Sequence, residues 1–293
     1  MKTSSGIRGG SVVPVTVIVL LILVAWYIAA IFMNTVVAQP RIDAAGGGFS
    51  NTLSISWGLE RPIIPAPHQV VQEIWMTAAT VAPWETKSLV YHVWVTLSST
   101  LLGFALGTLL GIALAIAIVH VKLLNKSLMP WIIASQTIPI LAIAPMIIVV
   151  LGSLGLTGLL PKSIISMYLC FFPVTIGMVK GLTSPDPMQL DLMRTYYAST
   201  EQVLWKLRFP ASLPFLFASL KVAIAIALTG AIVGELPTGA QAGIGARMLT
   251  GSYYGQTVQI WAALVAASVV AAGLVYGVGG VERLVGRRLG SQA

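Results

Sequence analysis

Few residues of this chain could do chemistry, and each sits against an apolar run. Glu235 closes one such run in Gly234-Glu-Leu-Pro-Thr-Gly239, ahead of Gly243-Ile-Gly245. A carboxylate in that setting is either paired, with Arg247 as the candidate partner, or stands at a gate or on a solute path. Ser135, Gln136 and Thr137 precede Pro139 and Pro145 inside another apolar run. Polar groups and helix breakers at that depth are tolerated only against protein or a water-filled cavity, so Ser135 and Gln136 either line a path or make structural hydrogen bonds. Cys170 is the single cysteine and lies in an apolar run, which excludes a disulfide within these residues and reads as a small core side chain. His68, His92 and His120 are too scattered for a metal site by spacing, and each reads as a satisfied or interfacial histidine.

Composition says what must hold these residues. With 57% hydrophobic and only 9% charged residues among 293, there is too little polar surface to cover a soluble globule. Apolar runs of roughly 20 residues recur without the alternation of an outer-membrane barrel, so helices are the expected spanning elements. The runs are Val12 to Met33, Val95 to His120, Leu128 to Leu151, Leu159 to Val179, Phe215 to Val233 and Val258 to Val281. The expected fold is all-α, a polytopic membrane protein of about six transmembrane helices. Lys2 and Arg8 ahead of the first run suit a secretion signal, but the run outlasts a signal's apolar centre and reads as an uncleaved span.

Basic residues stay preferentially on the cytoplasmic side of short loops. With the N-terminus inside, that side holds Lys2, Arg8, Lys122, Lys126, Lys180, Arg194, Lys206, Arg208, Lys221, Arg283, Arg287 and Arg288, twelve of the 17 Lys and Arg. The outer side holds Arg41, Arg61, Lys87, Lys162 and Arg247. Both termini are therefore expected in the cytoplasm. This asymmetry, with attraction to anionic membrane lipid, accounts for the formal charge of +8 and leaves no part for nucleic acid.

The long outer segment opens on Ala44-Ala-Gly-Gly-Gly-Phe-Ser-Asn51, expected to be flexible. Ile63-Ile-Pro-Ala-Pro67 then stiffens the chain, and Val70, Val71, Ile74 and Trp75 recur at the spacing of an amphipathic helix lying on the outer bilayer surface. In the second span Gly103, Gly107 and Gly111 clear one helix face for another backbone.

The clearest start and stop signals fall between the fourth and fifth spans. Asp186 caps a helix that begins at Pro187 and runs to about Tyr197, with Gln189 at the reciprocal third position. Ser199 caps a second, with Gln202 in the same role, and Pro210 is expected to stop it. Val203, Leu204 and Leu207 form one face, leaving Trp205, Lys206 and Arg208 for the interface or water; periodicity alone fits lipid contact and protein contact equally.

The stretch from Asp191 to Pro214 resembles the cytoplasmic loop signature of permease subunits of binding-protein-dependent ABC importers. Asp191, Tyr197 and Pro210 stand where that family has the acid of an acidic-Ala-Ala triplet, a glycine, and the proline of a Leu-Pro pair. Leu192-Met193 replaces the alanines, Tyr197 the glycine and Phe209 the leucine. Ile64-Pro-Ala-Pro67, Thr96-Leu-Ser-Ser99 with Gly103-Phe104, Ile138-Pro139 with Pro145, Phe171-Phe-Pro173 with Gly181-Leu182, and Gly234-Glu235 with Gly243-Ile-Gly245 extend the likeness over roughly residues 60 to 285.

The resemblance implies a type I ABC importer permease. Residues 1–37 would be an N-terminal cytoplasmic tail and first transmembrane helix, 38–91 an extracytoplasmic segment with an interfacial helix, 92–284 the permease core with cytoplasmic coupling helices at 186–209, and 285–293 a cytoplasmic tail. It implies a multi-pass translocation subunit in the bacterial inner membrane, not an enzyme and without a cofactor of its own. A second copy would complete a homodimer, separate ATPase subunits would carry ATP-Mg, and a solute-binding protein would dock outside. Asp191, Tyr197, Ala198, Ser199, Glu201, Trp205 and Pro210 would couple to the ATPase, and Ser135, Gln136 and Glu235 would belong to the translocation path or gate. The branch it looks like handles sulfonates, taurine, nitrate, or vitamin and pyrimidine precursors, and Tyr197 with Leu192-Met193 leans towards the precursors. The alternative, a self-sufficient carrier or channel, lacks evident coupling-ion acids or an inverted repeat, and a membrane enzyme lacks a clustered reactive set. No Gly-x-x-x-x-Gly-Lys-Ser/Thr loop is present.

Overall fold

The structure, a computed structural model, describes residues 12–237 and 242–288. Lys2, Arg8, Thr238, Gly239 and the 289–293 end of the tail lie outside the described residues. Those described form helices and no strand: α1 (Val12–Ala44), α2 (Phe49–Trp57), α3 (Pro67–Trp75), α4 (Leu89–His120), α5 (Lys122–Ser135), α6 (Ile140–Ser153), α7 (Leu159–Leu182), α8 (Pro187–Thr195), α9 (Thr200–Val203), α10 (Phe209–Gly234), α11 (Ile244–Tyr253) and α12 (Thr257–Arg288). Among them α1, α4, α7, α12 and the stretch Thr200–Gly234 are long and apolar enough to span a bilayer, and α5 with α6 make a further span bent by 98°. Two compact units emerge, one of the described residues up to Leu89 with Arg247–Val265, the other of Val90–Ala246 with those from Ala266 on.

In the second unit α7 is the centre. Gly103, Gly107 and Gly111 of α4 lie on Ser166, Cys170 and Val174, and a Cβ at Gly111 would stand 2.8 Å from that of Val174. The numbers rise together, so α4 and α7 run parallel. Gly181 instead meets Ser212 and Gly230 meets Ser166, so α10 runs antiparallel to α7. Parallel neighbours need a return crossing between them, and only α5 and α6 are there to make it. Among the described residues the candidate spans therefore number six, with the third crossed in two pieces rather than as the continuous Leu128 to Leu151 run. Pro139, in extended conformation at the start of α6, supplies the break, because proline forces its predecessor out of the helical region. Cys170 is buried in this core with Val174, Met178, Leu182, Leu216 and Ala227.

In the first unit α1 is 33 residues long, about 50 Å against ~30 Å of hydrocarbon. It therefore continues past Met33, where the apolar run ends, and α2 supports the extension through Ala38, Ile42, Ile55 and Leu59. The reversal between α1 and α2 is a defined turn in which Gly46, Gly47 and Gly48 all take positive φ, a conformation that L side chains disfavour. Asn34, fully buried, is the staple: its side chain donates to the Ser56 and Ile64 carbonyls at 3.0 and 2.9 Å and accepts from Ile63 N–H at 2.8 Å. The expected amphipathic helix is α3, with Val70 buried and Val71 and Trp75 exposed.

Gly107→Leu drives a side chain into Cys170 and the α7 backbone, and is expected to cost about 3 kcal/mol. Gly273→Ala and Gly277→Ala, with nothing within 4 Å, are expected to hold or raise the melting temperature in detergent.

Candidate functional site

The platform between α7 and α10 forms as its capping residues dictate. Asp186 accepts from Met188 N–H at 2.8 Å while its own N–H donates to Gln189 Oε1 at 3.3 Å. Ser199 Oγ accepts from Gln202 N–H at 3.2 Å, and Ser199 N–H donates to Gln202 Oε1 at 2.9 Å. α8 ends before the expected Tyr197, which stands instead at φ 54°. Tyr197 N–H donates to the Arg194 carbonyl at 2.9 Å and Ala198 N–H to that of Met193 at 3.0 Å. These are the two bonds of a Schellman motif, whose left-handed residue is ordinarily glycine. Tyr197 holds a conformation that costs a non-glycine residue about 1 kcal/mol, with its side chain 96% exposed.

The second helix does not stop at Pro210, contrary to expectation. α9 passes through a π-helical turn at Leu204–Arg208 directly into α10, and Pro210 sits in the first turn of α10. In a regular helix the proline ring would strike the carbonyl four residues back; the wider turn just ahead of it moves that carbonyl aside. Thr200–Gly234 is thus one helix of 35 residues. Leu204 is buried among Met178, Leu182 and Leu216, and Arg208 donates to the Leu182 carbonyl at 3.2 Å, tying the platform to the last turn of α7. Val203 and Leu207 are half-buried beside it, as their spacing predicts. Trp205 is exposed and packs on Phe209 at 5.1 Å between ring centres. Met188, Leu192, Tyr196 and Tyr197 point away from the core. Asp191 pairs with Arg194 at 3.0 Å, but both are exposed and the pair contributes little. Glu201 is exposed and Ala198 half-buried.

Ser135 and Gln136 fall at the bend between α5 and α6. The Ser135 hydroxyl donates to the Ile132 carbonyl at 2.7 Å, and its own carbonyl accepts from the Tyr168 hydroxyl. Gln136 Nε2 is buried with no hydrogen-bond partner.

Glu235 is fully buried, and its partner is Lys162, 3.5 Å away, rather than Arg247. The Thr96 hydroxyl lies 2.9 Å from both carboxylate oxygens, and Gly245 N–H donates to one at 2.9 Å. Lys162 also donates to the Ala242 carbonyl at 2.8 Å, Thr96 Oγ1 accepts from Ile244 N–H at 2.8 Å, and His92 Nδ1 accepts from Gly243 N–H at 3.0 Å. The carboxylate thus fastens the start of α11 to α4 and α7. Arg247 donates to Glu73 at 3.2 Å and to the Lys87 carbonyl at 2.8 Å. Burial lowers the Arg247 pKa, and the Glu73 carboxylate opposes that shift. The other histidines serve locally: His68 meets the Tyr27 hydroxyl and His120 the Ile116 carbonyl.

Residues 107–291 match the family described as binding-protein-dependent transport system inner membrane component. The chain belongs to that family. A probable ABC transporter permease protein of Haemophilus influenzae is 33% identical over 69% of this chain and 77% of its own. The formylaminopyrimidine transport permease protein ThiX of Halalkalibacterium halodurans is 30% identical over 68% of this chain and 78% of its own. The riboflavin transport system permease protein RibX of Chloroflexus aurantiacus is 30% identical over 77% and 80%. This permease is the membrane translocation subunit of an ABC importer, of a family of transport proteins rather than enzymes. The matched residues contain the platform, Gln136 and Glu235. Sequence reasoning missed Lys162 and Thr96 as partners of Glu235; a lone lysine in the first turn of an apolar run was the available signal.

Lys162→Met leaves the Glu235 carboxylate buried and unpaired, and is expected to destabilise the permease by about 3–5 kcal/mol. Combining it with Glu235→Gln is expected to restore most of the loss in a thermal unfolding cycle.

Proposed function

We propose that the permease works as a homodimer in the bacterial inner membrane, with both termini cytoplasmic, ATPase subunits seated on α8 and α9, and a solute-binding protein on the opposite face. The observation that carries this reading is the unbroken helix from Thr200 to Gly234. It is about 50 Å long and begins on an exposed platform and ends at the Glu235 cluster. A displacement imposed on α8 and α9 by nucleotide-driven closure passes along that helix instead of dissipating in a loop, biasing a two-state element. Met188, Leu192, Tyr196, Tyr197 and Trp205 offer the apolar and aromatic anchors that a docking partner buries, with Asp191, Ser199 and Glu201 at their rim. Lys122, Lys126, Lys180 and Lys206 lie at the same end of the helices, which supports a cytoplasmic platform.

ATP-Mg belongs to the partner subunit, and no cofactor is assigned to this chain. Gln136, with a buried donor at a bent span, fits the wall of the solute path, with Ser135 beside it. Glu235 acts as a gate latch through Lys162 and Thr96 without touching solute. The solute we assign is a small organic molecule of the vitamin or pyrimidine-precursor class, because the relatives named for formylaminopyrimidine and riboflavin are each 30% identical over more than two thirds of the chain.

Leu192→Asp with Tyr196→Asp is expected to lower co-purification of the ATPase by about tenfold or more, since each anchor carries over 1.4 kcal/mol when buried. Two residues inserted between Ser199 and Pro210 are expected to abolish uptake in reconstituted vesicles while membrane insertion persists. Undiminished ATPase retention and uptake in both variants would remove the platform from the mechanism.

A further inference from the structure

Ahead of residues 107–291, the stretch matched to the permease family, the first unit carries a surface feature of its own. An open groove of about 580 Å³ runs between α1 and α3, walled by Leu23, Tyr27, Val71 and Trp75. Its size falls in the roughly 300–1,000 Å³ range of small-molecule sites. The walls are apolar, and Val71 and Trp75 are 66% and 68% exposed. Leu23 belongs both to the groove and to the exposed apolar surface of α1 that runs from Val17 to Val24. That surface requires hydrocarbon around it, so the groove opens onto bilayer.

One edge of the groove is polar. The Tyr27 hydroxyl lies 3.3 Å from His68 Nδ1, with the two rings stacked 5.9 Å apart. When that hydroxyl donates to Nδ1, the neutral imidazole carries its proton on Nε2, on an exposed side chain. Gln72, one turn further along α3 and also exposed, places a second donor on the same face. Val71 and Trp75 form the neighbouring apolar stripe at the same four-residue spacing. Donors beside an apolar slot, flanked by Tyr and Trp of the kind that settle at the membrane interface, match an amphiphile with oxygen acceptors at its head.

We infer that this groove holds one phospholipid of the bilayer, with an acyl chain along Leu23 and Val71 and its ester or phosphate oxygens on His68 and Gln72. A lipid on the convex surface of a lone helix exchanges freely; one seated between two helices with two donors at its head is retained.

The test uses the full permease extracted in mild detergent, with retained phospholipid counted by native mass spectrometry. Val71→Trp fills the slot and is expected to remove about one bound lipid per chain, whereas Val149→Trp, on the exposed surface of α6, is expected to remove none. His68→Leu with Gln72→Leu keeps the slot apolar and is expected to lower retention as well. A photoreactive side chain at position 71, in vesicles of phosphatidylethanolamine and phosphatidylglycerol, is expected to yield lipid adducts. Unchanged lipid counts in the filled and donor-less variants, or adducts to polypeptide in place of lipid, would overturn the assignment.

Discussion

Helices in hydrocarbon gain little from hiding apolar side chains from one another, because lipid is as apolar as leucine; what holds them is close approach. In this permease that approach converges on α7. Gly103, Gly107 and Gly111 bring α4 onto it, and Gly177, Gly181, Gly230 and Gly234 bring α10 onto it from the other direction. Ser166 and Cys170 are small enough to accept the contact. Both candidate sites are then fastened to opposite ends of this one helix, Lys162 in its first turn and the Met178 and Leu182 seat of the platform in its last. The glycine contacts therefore set the geometry of the sites as well as the stability of the core.

The π-turn at Leu204–Arg208 has a mechanical meaning that follows from this arrangement. Pro210 would break a regular helix, and a broken helix would leave the platform on a hinge. The extra residue in the turn lets the chain pass the proline without a break, and Leu204 and Arg208, both in that turn, make the contacts that seat it on α7. Accommodation of the proline and attachment of the platform are thus one piece of structure.

Much of this was legible in the sequence, and the failures share a cause. The spans followed from hydropathy, and both capping boxes followed from Asp186 with Gln189 and Ser199 with Gln202, because each depends on residues within one turn. The glycine repeat of α4 announced a close neighbour but could not name α7. Pro210 was misread because the signal for a π-turn is the strain that the proline itself would cause. The bend at Pro139 was present as a breaker, but whether a breaker kinks a helix or splits it depends on what packs there. α1 outran its apolar stretch because α2 supports it, a contact between segments that periodicity does not encode. Tyr197 runs the other way: its positive φ gives physical reason to the glycine that the family resemblance placed there.

The pairing of Glu235 could not be read locally, since Lys162 and Thr96 stand 73 and 139 residues away in the chain. Nor is the pair a plain source of stability. Removing two charges from water costs several kcal/mol per ion, so a hydrophobic pair of equal volume would serve folding as well. What an apolar pair would not supply is direction. The carboxylate accepts from Thr96 and from Gly245 N–H at the start of α11, where the helix dipole favours an anion, while Lys162 reaches the Ala242 carbonyl. Each of these bonds exists in one register only. A shift of α10 along α7 by a single residue would move Glu235 about 1.5 Å, enough to break the Lys162 contact and the Gly245 bond together. The cluster therefore marks one register of α10 on α7 at the end of the helix that begins on the platform, and the cost of leaving the Glu235 carboxylate buried without its partners makes that register all-or-none.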